Sequence, residues 1–503
     1  MANSSLVPSA VPMRRHRLTG RFASIMACHD ENVRFVSRAA GGDCTIGVDV
    51  GTTSVKAVAV DPAGTVVART RIPHRVGTPH VDALEHDVAR AWRRGPRQAF
   101  AAVSSELDGD PTGVVVTSMV PSITALDGRG RPLLPGLLYG DARAADPGAE
   151  AGDGGGERDQ GRRMLGWAVD RQPGARSYWN CQAMATHALT GVPAIDMATA
   201  LSFGDLYTRG RWDTEALATL GVDQSQLPVV GPMGGGIGTV PGTATAFAGG
   251  SIDAFCEQIV AGADRPGDVL AIFGATLIVW VVTDQWKEAP GLISLPHTVP
   301  GLFLTGGPSN AGALFVDWAG SLLRAAPRGG RASVLAAGDG AGAGDQRTGD
   351  PDRVPVWLPY LRGERTPFHD PTLRASLHGL DISQGPQALL RGAHEASGFV
   401  IRRMVDRSAI SVRRILATGG GSRSVPWMQA VADATGLPVE TVAVSEGAAL
   451  GAAFLARMAA GLETSFDAAG RWAQPGRRIE PDPAWAAAAS ARFEQFEALS
   501  PGA

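Results

Sequence analysis

The readable part of the chain opens with three short apolar runs separated by tight breaks. Thr45–Val50, Val55–Asp61 and Thr65–Arg71 are rich in Val, Ile and Ala, with Gly51–Ser54 and Pro62-Ala63-Gly64 between them. Branched apolar runs bounded by Gly and Pro predict strands joined by turns, so ordered structure begins near Cys44 as an antiparallel start to a sheet. Helical periodicity follows over Asp87–Leu107. Gly113–Val116 predicts a buried strand, with Ser122–Asp127 pairing to it. Helices are predicted at Trp179–Leu189 and Trp212–Leu220.

The second half repeats this theme without a fixed sequence period. Val269–Phe273, Gly274 and Leu277–Thr283 form strand, glycine turn and strand. Helix returns at Pro386–Arg407, then a strand at Arg414–Ala417, a glycine turn at Thr418–Ser422, a helix at Val425–Thr435, a short strand at Pro438–Val442 and a helix at Glu446–Ala460. Gly148–Gly161 and Gly329–Gly349 are low-complexity stretches that predict exposed loops, and the Gly/Pro-rich Gly231–Gly250 predicts a hinge. The divisions expected are an N-terminal extension at 1–42, a first domain at 43–245, a second at 246–462 and a peripheral helical tail at 463–503.

Composition narrows the class. A chain of 503 residues with 44% apolar and 19% charged residues has room for two substantial domains of ordinary enzyme character. A formal net charge of −3 gives no electrostatic case for nucleic acid or an anionic membrane. Val269–Val282, the longest apolar run, is shorter than a membrane-spanning helix needs. Cys28, Cys44, Cys181 and Cys256 form no C-x-x-C pair, which argues against zinc and fits a reducing cytoplasm. Residues 1–42 carry Arg14, Arg15, Arg17 and Arg21 without a long apolar core, unlike a secretory signal; a disordered extension, or a start at Met13 or Met26, is expected. Lysine occurs only as Lys56 and Lys287, so Lys56 stands out inside the first hairpin.

Four places offer chemistry. Asp49-Val50-Gly51-Thr52-Thr53 ends a strand on a carboxylate and turns on small residues. Such a turn can present N–H groups and hydroxyls to a phosphate, and the carboxylate can hold Mg²⁺; a plain β-turn is the alternative. No Walker A pattern is present. Asp253, after Ala248-Gly249-Gly250-Ser251-Ile252, opens a helical stretch. From residue types alone it reads first as a helix N-cap and second as a general base. Gly274-Ala275-Thr276 is either a second phosphate hairpin or a plain tight turn. Thr418-Gly419-Gly420-Gly421-Ser422 joins strand to helix and can offer flat backbone to a purine or ribose, a flexible loop being the alternative. Two glycine hairpins in two halves, an Asp between them and a late glycine turn give the order of an actin-like ATPase. The fold class expected is α/β, with two actin-like (ribonuclease H-like) domains and a nucleotide cleft between them.

The chain resembles the FGGY carbohydrate kinase family, nearest its xylulokinase-like members, over roughly Thr45 to Ala460. The resemblance is carried by Ala417–Ser424, Trp427-Met428-Gln429, Gly436-Leu437-Pro438-Val439, Glu446–Ala453, Leu358–Pro367 and Leu133–Arg143. It implies ATP and Mg²⁺ as cofactors and a small sugar or polyol as partner, with a homodimer as one assembly open to it. Asp49, Gly51, Thr52 and Thr53 would engage Mg²⁺ and phosphate, with Asp49 on the metal. Asp253 would be the base and also meet the acceptor. Gly274 and Thr276 would form the second hairpin, and Gly420, Gly421, Ser422 and Gln429 the adenosine pocket. Met119, Val120 and Asp141 would line the acceptor side. The sequence departs from the family there: Ser118-Met119-Val120-Pro121-Ser122 replaces a polar Gly-Gln-x-His-like loop, and Ala275 replaces a hydroxyl residue. The expected activity is transfer of the ATP γ-phosphoryl group to a ketose or polyol, a xylulose-like pentulose favoured. A relative acting on a cyclitol, or a non-catalytic sensor, is the alternative.

Overall fold

The computed structural model describes residues 43–80, 83–144, 160–208, 210–299, 301–323, 350–444 and 446–501. The extension at 1–42, most of the 148–161 loop and the 329–349 loop lie outside the described residues.

The first sheet has seven strands: β1 (Thr45–Val50), β2 (Ser54–Val60), β3 (Val66–Pro73), β4 (Gly113–Ser118), β5 (Gly236–Thr239), β6 (Ala246–Ala248) and β7 (Ser251–Ile252). Its order is β5-β6-β4-β1-β2-β3, with β7 also on β4. The second sheet also has seven: β8 (Asp268–Phe273), β9 (Leu277–Thr283), β10 (Ile293–Pro296), β11 (Phe303–Ser309), β12 (Arg414–Thr418), β13 (Val439–Val442) and β14 (Pro475–Ile479). Its order is β10-β11-β9-β8-β12-β13-β14. In each sheet the first strand pairs antiparallel with the second and parallel with the fourth-type strand: β1 with β2 and β4, β8 with β9 and β12. This shared topology is the architectural repeat that the hydrophobic pattern suggests.

β1 and β4 are buried along their whole length, as central strands covered on both faces are. Ile46, Val48 and Val50 pack with Trp92, Ala99, Val103 and Met184 in one cluster. On the other face lies a helix from the far end of the chain, α6 below. Helices used here are α1 (Cys181–Thr190), α2 (Asp253–Val260), α3 (Ala313–Leu323), α4 (Pro386–Ser408), α5 (Val425–Thr435), α6 (Gly447–Ala459) and α7 (Pro483–Leu499). Helix α6 is built of Ala and Gly and sits against β1 so closely that a Cβ on Gly47 would fall 1.8 Å from Ala449 O. Thr45 Oγ1 donates to Ala453 O at 2.9 Å in the same contact. The second sheet packs Val269, Ala271 and Phe273 against α4 and α5 on one face, and Leu270, Ile272, Trp280 and Leu416 in a cluster with Ala261 and Ala263 on the other.

The structure corrects three sequence readings. Ser122–Leu126 does not pair with β4, whose edges are taken by β1, β6 and β7; it joins a small sheet with Gly136–Leu138 and Ser177–Trp179 instead. The passage 231–250 supplies β5 and β6, so the chain stays in the first sheet through Ile252. The tail is more than a peripheral helix. It adds β14 to the second sheet, and α7 buries Trp485, Phe493 and Phe496. Arg492 of α7 binds Glu395 of α4 at 2.8 Å. Among the described residues, no helix is long and apolar enough to cross a membrane.

Candidate active site

The registers of three strands place the first two carboxylates. On β4, Thr117 is level with Asp49 of β1 and with Ser251 of β7, and Ser118 is level with Val50 and Ile252. β1, β4 and β7 are parallel, so Asp49, Met119 and Asp253 emerge together at the carboxyl end of one sheet. Open α/β sheets bind ligands at that end.

Asp49 is buried. Its Oδ2 accepts from Lys56 Nζ at 3.2 Å, while its Oδ1 is buried with no hydrogen-bond partner. Asp49 and Lys56 are register partners across the hairpin, so the strand geometry itself makes the pair. The turn is closed by Gly51 N–H donating to Ser54 O at 3.0 Å, which leaves Thr52 and Thr53 at its tip. The turn's carbonyls are held from behind: His74 Nε2–H reaches Gly51 O at 3.1 Å, His86 Nε2–H reaches Thr52 O at 2.8 Å, and His74 N–H reaches Thr53 O at 2.9 Å. Trp92 Nε1–H donates to His86 Nδ1 at 2.9 Å and thereby fixes that tautomer. Burial pushes His86 down to about 4 and lowers His74 as well, so both rings are neutral at physiological pH. None of these three residues belongs to a motif that the sequence displays. The local signal for them is His86 and Trp92, six apart, flanking the start of the predicted helix.

Asp253 is the first residue of α2, but the N-cap is Ile252, and the Asp253 carboxylate accepts from its own neighbour Ala254 N–H at 2.7 Å. The structure therefore does not give it the capping role its residue type suggests. Burial first and the Asp49 charge second push its pKa up to about 6, against the pull of Ala254 N–H, Lys56 and Arg365. One helical turn on, Glu257 faces the same region. Burial pushes it up to about 7, and Thr418 Oγ1–H donates to its Oε2. Lys56 is raised chiefly by Asp49 and also by Glu257. Glu257 was not anticipated from sequence, because an acidic residue in a short helix reads as solvent-facing.

The second hairpin mirrors the first. Gly274 O and Ala275 O accept from Ala313 N–H and Leu314 N–H, both at 3.0 Å, at the start of α3. The turn's carbonyls are again turned away, and Thr276 lies at the tip. β12 is level with β8 to Ile272↔Thr418, so the glycine turn that follows sits beside this hairpin. Gly419 has φ +82°, and a Cβ there would lie 2.8 Å from Phe273 O, so glycine is required. Gly420 faces open space, whereas Gly421 is packed on Phe273 and Trp427. Ser422 Oγ–H donates to Gly419 O at 2.8 Å, inside the turn. Gln429 Nε2–H bonds Asp433 Oδ1 at 2.9 Å and Glu480 O at 3.0 Å. The Ser422 hydroxyl and Gln429 amide thus serve the fold, and the open surface left at this turn is backbone at Gly420.

In the segment expected to meet the acceptor, Met119 is buried and Val120 half-buried, before a cis Val120–Pro121 peptide. Gln182 of α1 ties this loop to β7: its Nε2–H groups reach Ser118 O at 2.8 Å and Ser251 O at 3.3 Å. Asp141 is fully engaged. It accepts from Leu84 N–H at 2.9 Å and from Arg143 Nε at 3.0 Å and Nη2 at 2.6 Å. It therefore shapes the 139–143 loop and does not offer its oxygens to an acceptor. From the second half, Arg362 Nη2–H crosses to Gly140 O at 3.1 Å. The site thus combines two tight glycine hairpins, one carboxylate with a free oxygen beside a lysine, and a second carboxylate with a raised pKa at the same sheet end. That set can hold a polyphosphate and take a proton from a hydroxyl.

Comparison with known proteins points the same way. Residues 44–150 match the FGGY family of carbohydrate kinases, N-terminal domain, and residues 269–460 match its C-terminal domain. The xylulose kinase of Escherichia coli (strain K12) is 27% identical over 459 residues, covering 84% of this chain and 91% of that protein. The gluconokinase of Bacillus licheniformis is 24% identical over 467 residues, covering 84% and 88%. The crystal structure of xylulose kinase from Rhodospirillum rubrum superposes with a TM-score of 0.71 at 28% identity, covering 91% of this chain and 98% of that one.

Proposed function

The chain belongs to the FGGY family of carbohydrate kinases, phosphotransferases with an alcohol group as acceptor, and within it we propose transfer of the ATP γ-phosphoryl group to a hydroxyl of a ketose or polyol, a xylulose-like pentulose favoured, with Asp253 as the base. The observation that carries this reading is the shared carboxyl end of β1, β4 and β7, which brings Asp49 and Asp253 together with Asp253 pushed up to about 6. A base poised near neutrality is matched to taking a hydroxyl proton as the phosphoryl group arrives.

The residues present fit a Mg²⁺ carried by the nucleotide. Asp49 Oδ1 is buried without a partner, and Mg²⁺ characteristically takes one or two carboxylates and completes its shell with phosphate and water. Asp49 would hold it, and the ion would neutralise charge on the β- and γ-phosphates. Lys56, beside the same carboxylate, offsets the Asp49 charge. The hairpin tips at Thr52–Thr53 and Thr276 would face the phosphates, and the open backbone at Gly420 would face adenosine. A two-domain division, placed after Ile252 because residues 246–252 belong to the first sheet, and a cytoplasmic setting are part of the same proposal.

Met119 and Val120 bring no hydrogen-bonding side chain to the acceptor, which favours a cyclitol or other less common polyol as the second reading. ADP release measured over pentuloses, hexuloses, polyols, aldonates and cyclitols separates the two. Asp253→Asn should bind ADP as the wild type does and lose transfer by roughly 10²–10⁴-fold. Near-normal turnover by that variant, or no acceptor-stimulated release across the panel, would refute the assignment.

A further inference from the structure

The 139–143 loop carries a side chain that none of the roles above uses. Tyr139 Oη lies 3.4 Å from Thr52 Oγ1 at the tip of the first hairpin. The same hydroxyl feels the charge of Asp253, and the Arg365 guanidinium lies 5.8 Å from the ring centroid. Arg365 also acts on Asp253. One phenol thus stands among the phosphate hairpin, the base and a cation from the second half.

Its position is enforced from both sides. Gln160 Nε2–H donates to Tyr139 O at 2.6 Å, and Arg362 Nη2–H donates to the next carbonyl, Gly140 O, at 3.1 Å. Asp141, clamped by Arg143 and Leu84 N–H, anchors the far end of the loop. Arg362 and Arg365 flank Glu364, which accepts from Ser309 Oγ–H and Asn310 N–H, both at 2.9 Å, just before α3. The segment that grips Tyr139 is therefore rooted next to the second hairpin.

We propose that Tyr139 is a catalytic residue whose hydroxyl donates a hydrogen bond to an oxygen of the phosphoryl group in transfer. A separation of 3.4 Å is long for two hydroxyls, which close to about 2.7–2.8 Å when they bond well. Neither partner is saturated, so an arriving phosphoryl oxygen can take the bond from both. Burial and the Asp253 charge raise the phenol's pKa, so it keeps its proton and can donate it to an anionic oxygen. A hydrogen bond to an anionic oxygen is roughly twice as strong as a neutral one, and the gain is largest where charge is redistributed in the transition state. Arg362 adds a hold from the second half to the loop that carries Tyr139.

This proposal rests on the phosphoryl-transfer reading above, and the test separates the two. Binding of MgADP, alone and with aluminium fluoride as the phosphoryl mimic, is measured for the wild type and for Tyr139→Phe, which keeps the ring under Arg365. The variant should bind MgADP within twofold of wild type and bind the fluoride complex roughly tenfold or more weakly. With the best acceptor from the panel, kcat should fall by a similar factor while the acceptor KM stays. Wild-type affinity of Tyr139→Phe for the fluoride complex overturns the proposal, as does a loss confined to the acceptor KM. A wild type that binds no MgADP overturns the kinase reading itself, and the proposal with it.

Discussion

Lys56 and Asp49 face each other across the first hairpin, Nζ to Oδ2 at 3.2 Å, and this cation also acts on Asp253, the proposed base. Its charge lowers Asp253 while the Asp49 charge raises it. Lys56→Met therefore leaves Asp49, Asp253 and Glu257 in a buried site with no lysine, and the Asp253 pKa moves above about 6. Activity of this variant should fall more at pH 6.5 than at pH 8, with the acid limb of kcat displaced upward by about one unit. Lys56→Arg, which keeps the charge, should hold the limb in place. A pH–rate profile for the three proteins decides it; parallel profiles would remove Lys56 from the electrostatics of transfer.

The acid limb belongs to one of two carboxylates. Asp253 sits at about 6 and Glu257, a turn further along α2, at about 7, both raised mainly by burial. A base must be ionised to act, so kcat should decline below about pH 6 by roughly tenfold per unit. Glu257→Gln keeps a hydrogen-bond acceptor for the Thr418 hydroxyl and should leave that limb where it is. If the limb disappears in Glu257→Gln, the titration seen in turnover is that of Glu257 or of the coupled pair.

The strand runs, the glycine hairpins and Asp253 were legible in the sequence because each is a local pattern: branched apolar runs cut by small residues, and a carboxylate at the start of a helix. The same patterns could not show which strands would meet. Ser122–Leu126 looks like a partner for β4 until β6 and β7, over a hundred residues away, fill that edge. Gln429 and Ser422 fall inside the motif that identifies the family, yet their polar atoms bond Glu480 O and Gly419 O, partners that periodicity does not reveal. His74, His86 and Tyr139 sit outside any glycine motif, and only the folded chain brings them to the Thr52 turn. Asp141 was legible as part of the acceptor-side loop, but its saturation by Arg143 was not.

Gly47 tests how firmly α6 is held. It lies mid-strand in β1, and an added Cβ would stand 1.8 Å from Ala449 O and 2.6 Å from Ala453 N, both helix backbone that cannot rotate away. The other side of α6 is equally close: a Cβ on Gly451 would fall 1.9 Å from Cys256 O of α2. The helix is wedged between the sheet that carries Asp49 and the helix that starts with Asp253. Gly47→Ala should therefore cost about 3 kcal/mol or more, read as a lower urea midpoint, because overpacking against backbone forces a rigid element to move. It should also lower kcat, since α2 must follow. A midpoint equal to wild type would show that α6 can slide without disturbing either sheet.

The histidines behind the first hairpin make a pH prediction of opposite character. Trp92 Nε1–H occupies His86 Nδ1 at 2.9 Å, and His86 Nε2–H is engaged by Thr52 O at 2.8 Å, so a second ring proton would have to displace the indole. The other ring against it is His74, 4.6 Å away between centroids and also lowered by burial. With a folded pKa of about 4 against 6.5 when exposed, His86 refuses a proton that the unfolded chain accepts. The stability this confers is whole above pH 6.5 and is lost as pH falls towards about 4, up to about 3 kcal/mol for this residue. His86→Gln can accept from Trp92 and donate to Thr52 O without titrating. Its urea midpoint should match wild type near pH 7.5 and decline less between pH 6.5 and 4.5. His86→Leu leaves the Trp92 N–H and Thr52 O unpaired, so it should lose roughly 1–3 kcal/mol for each at every pH and raise the KM for ATP as the turn loosens. Superimposable pH profiles for wild type and His86→Gln would mean that the acid sensitivity of the fold comes from elsewhere.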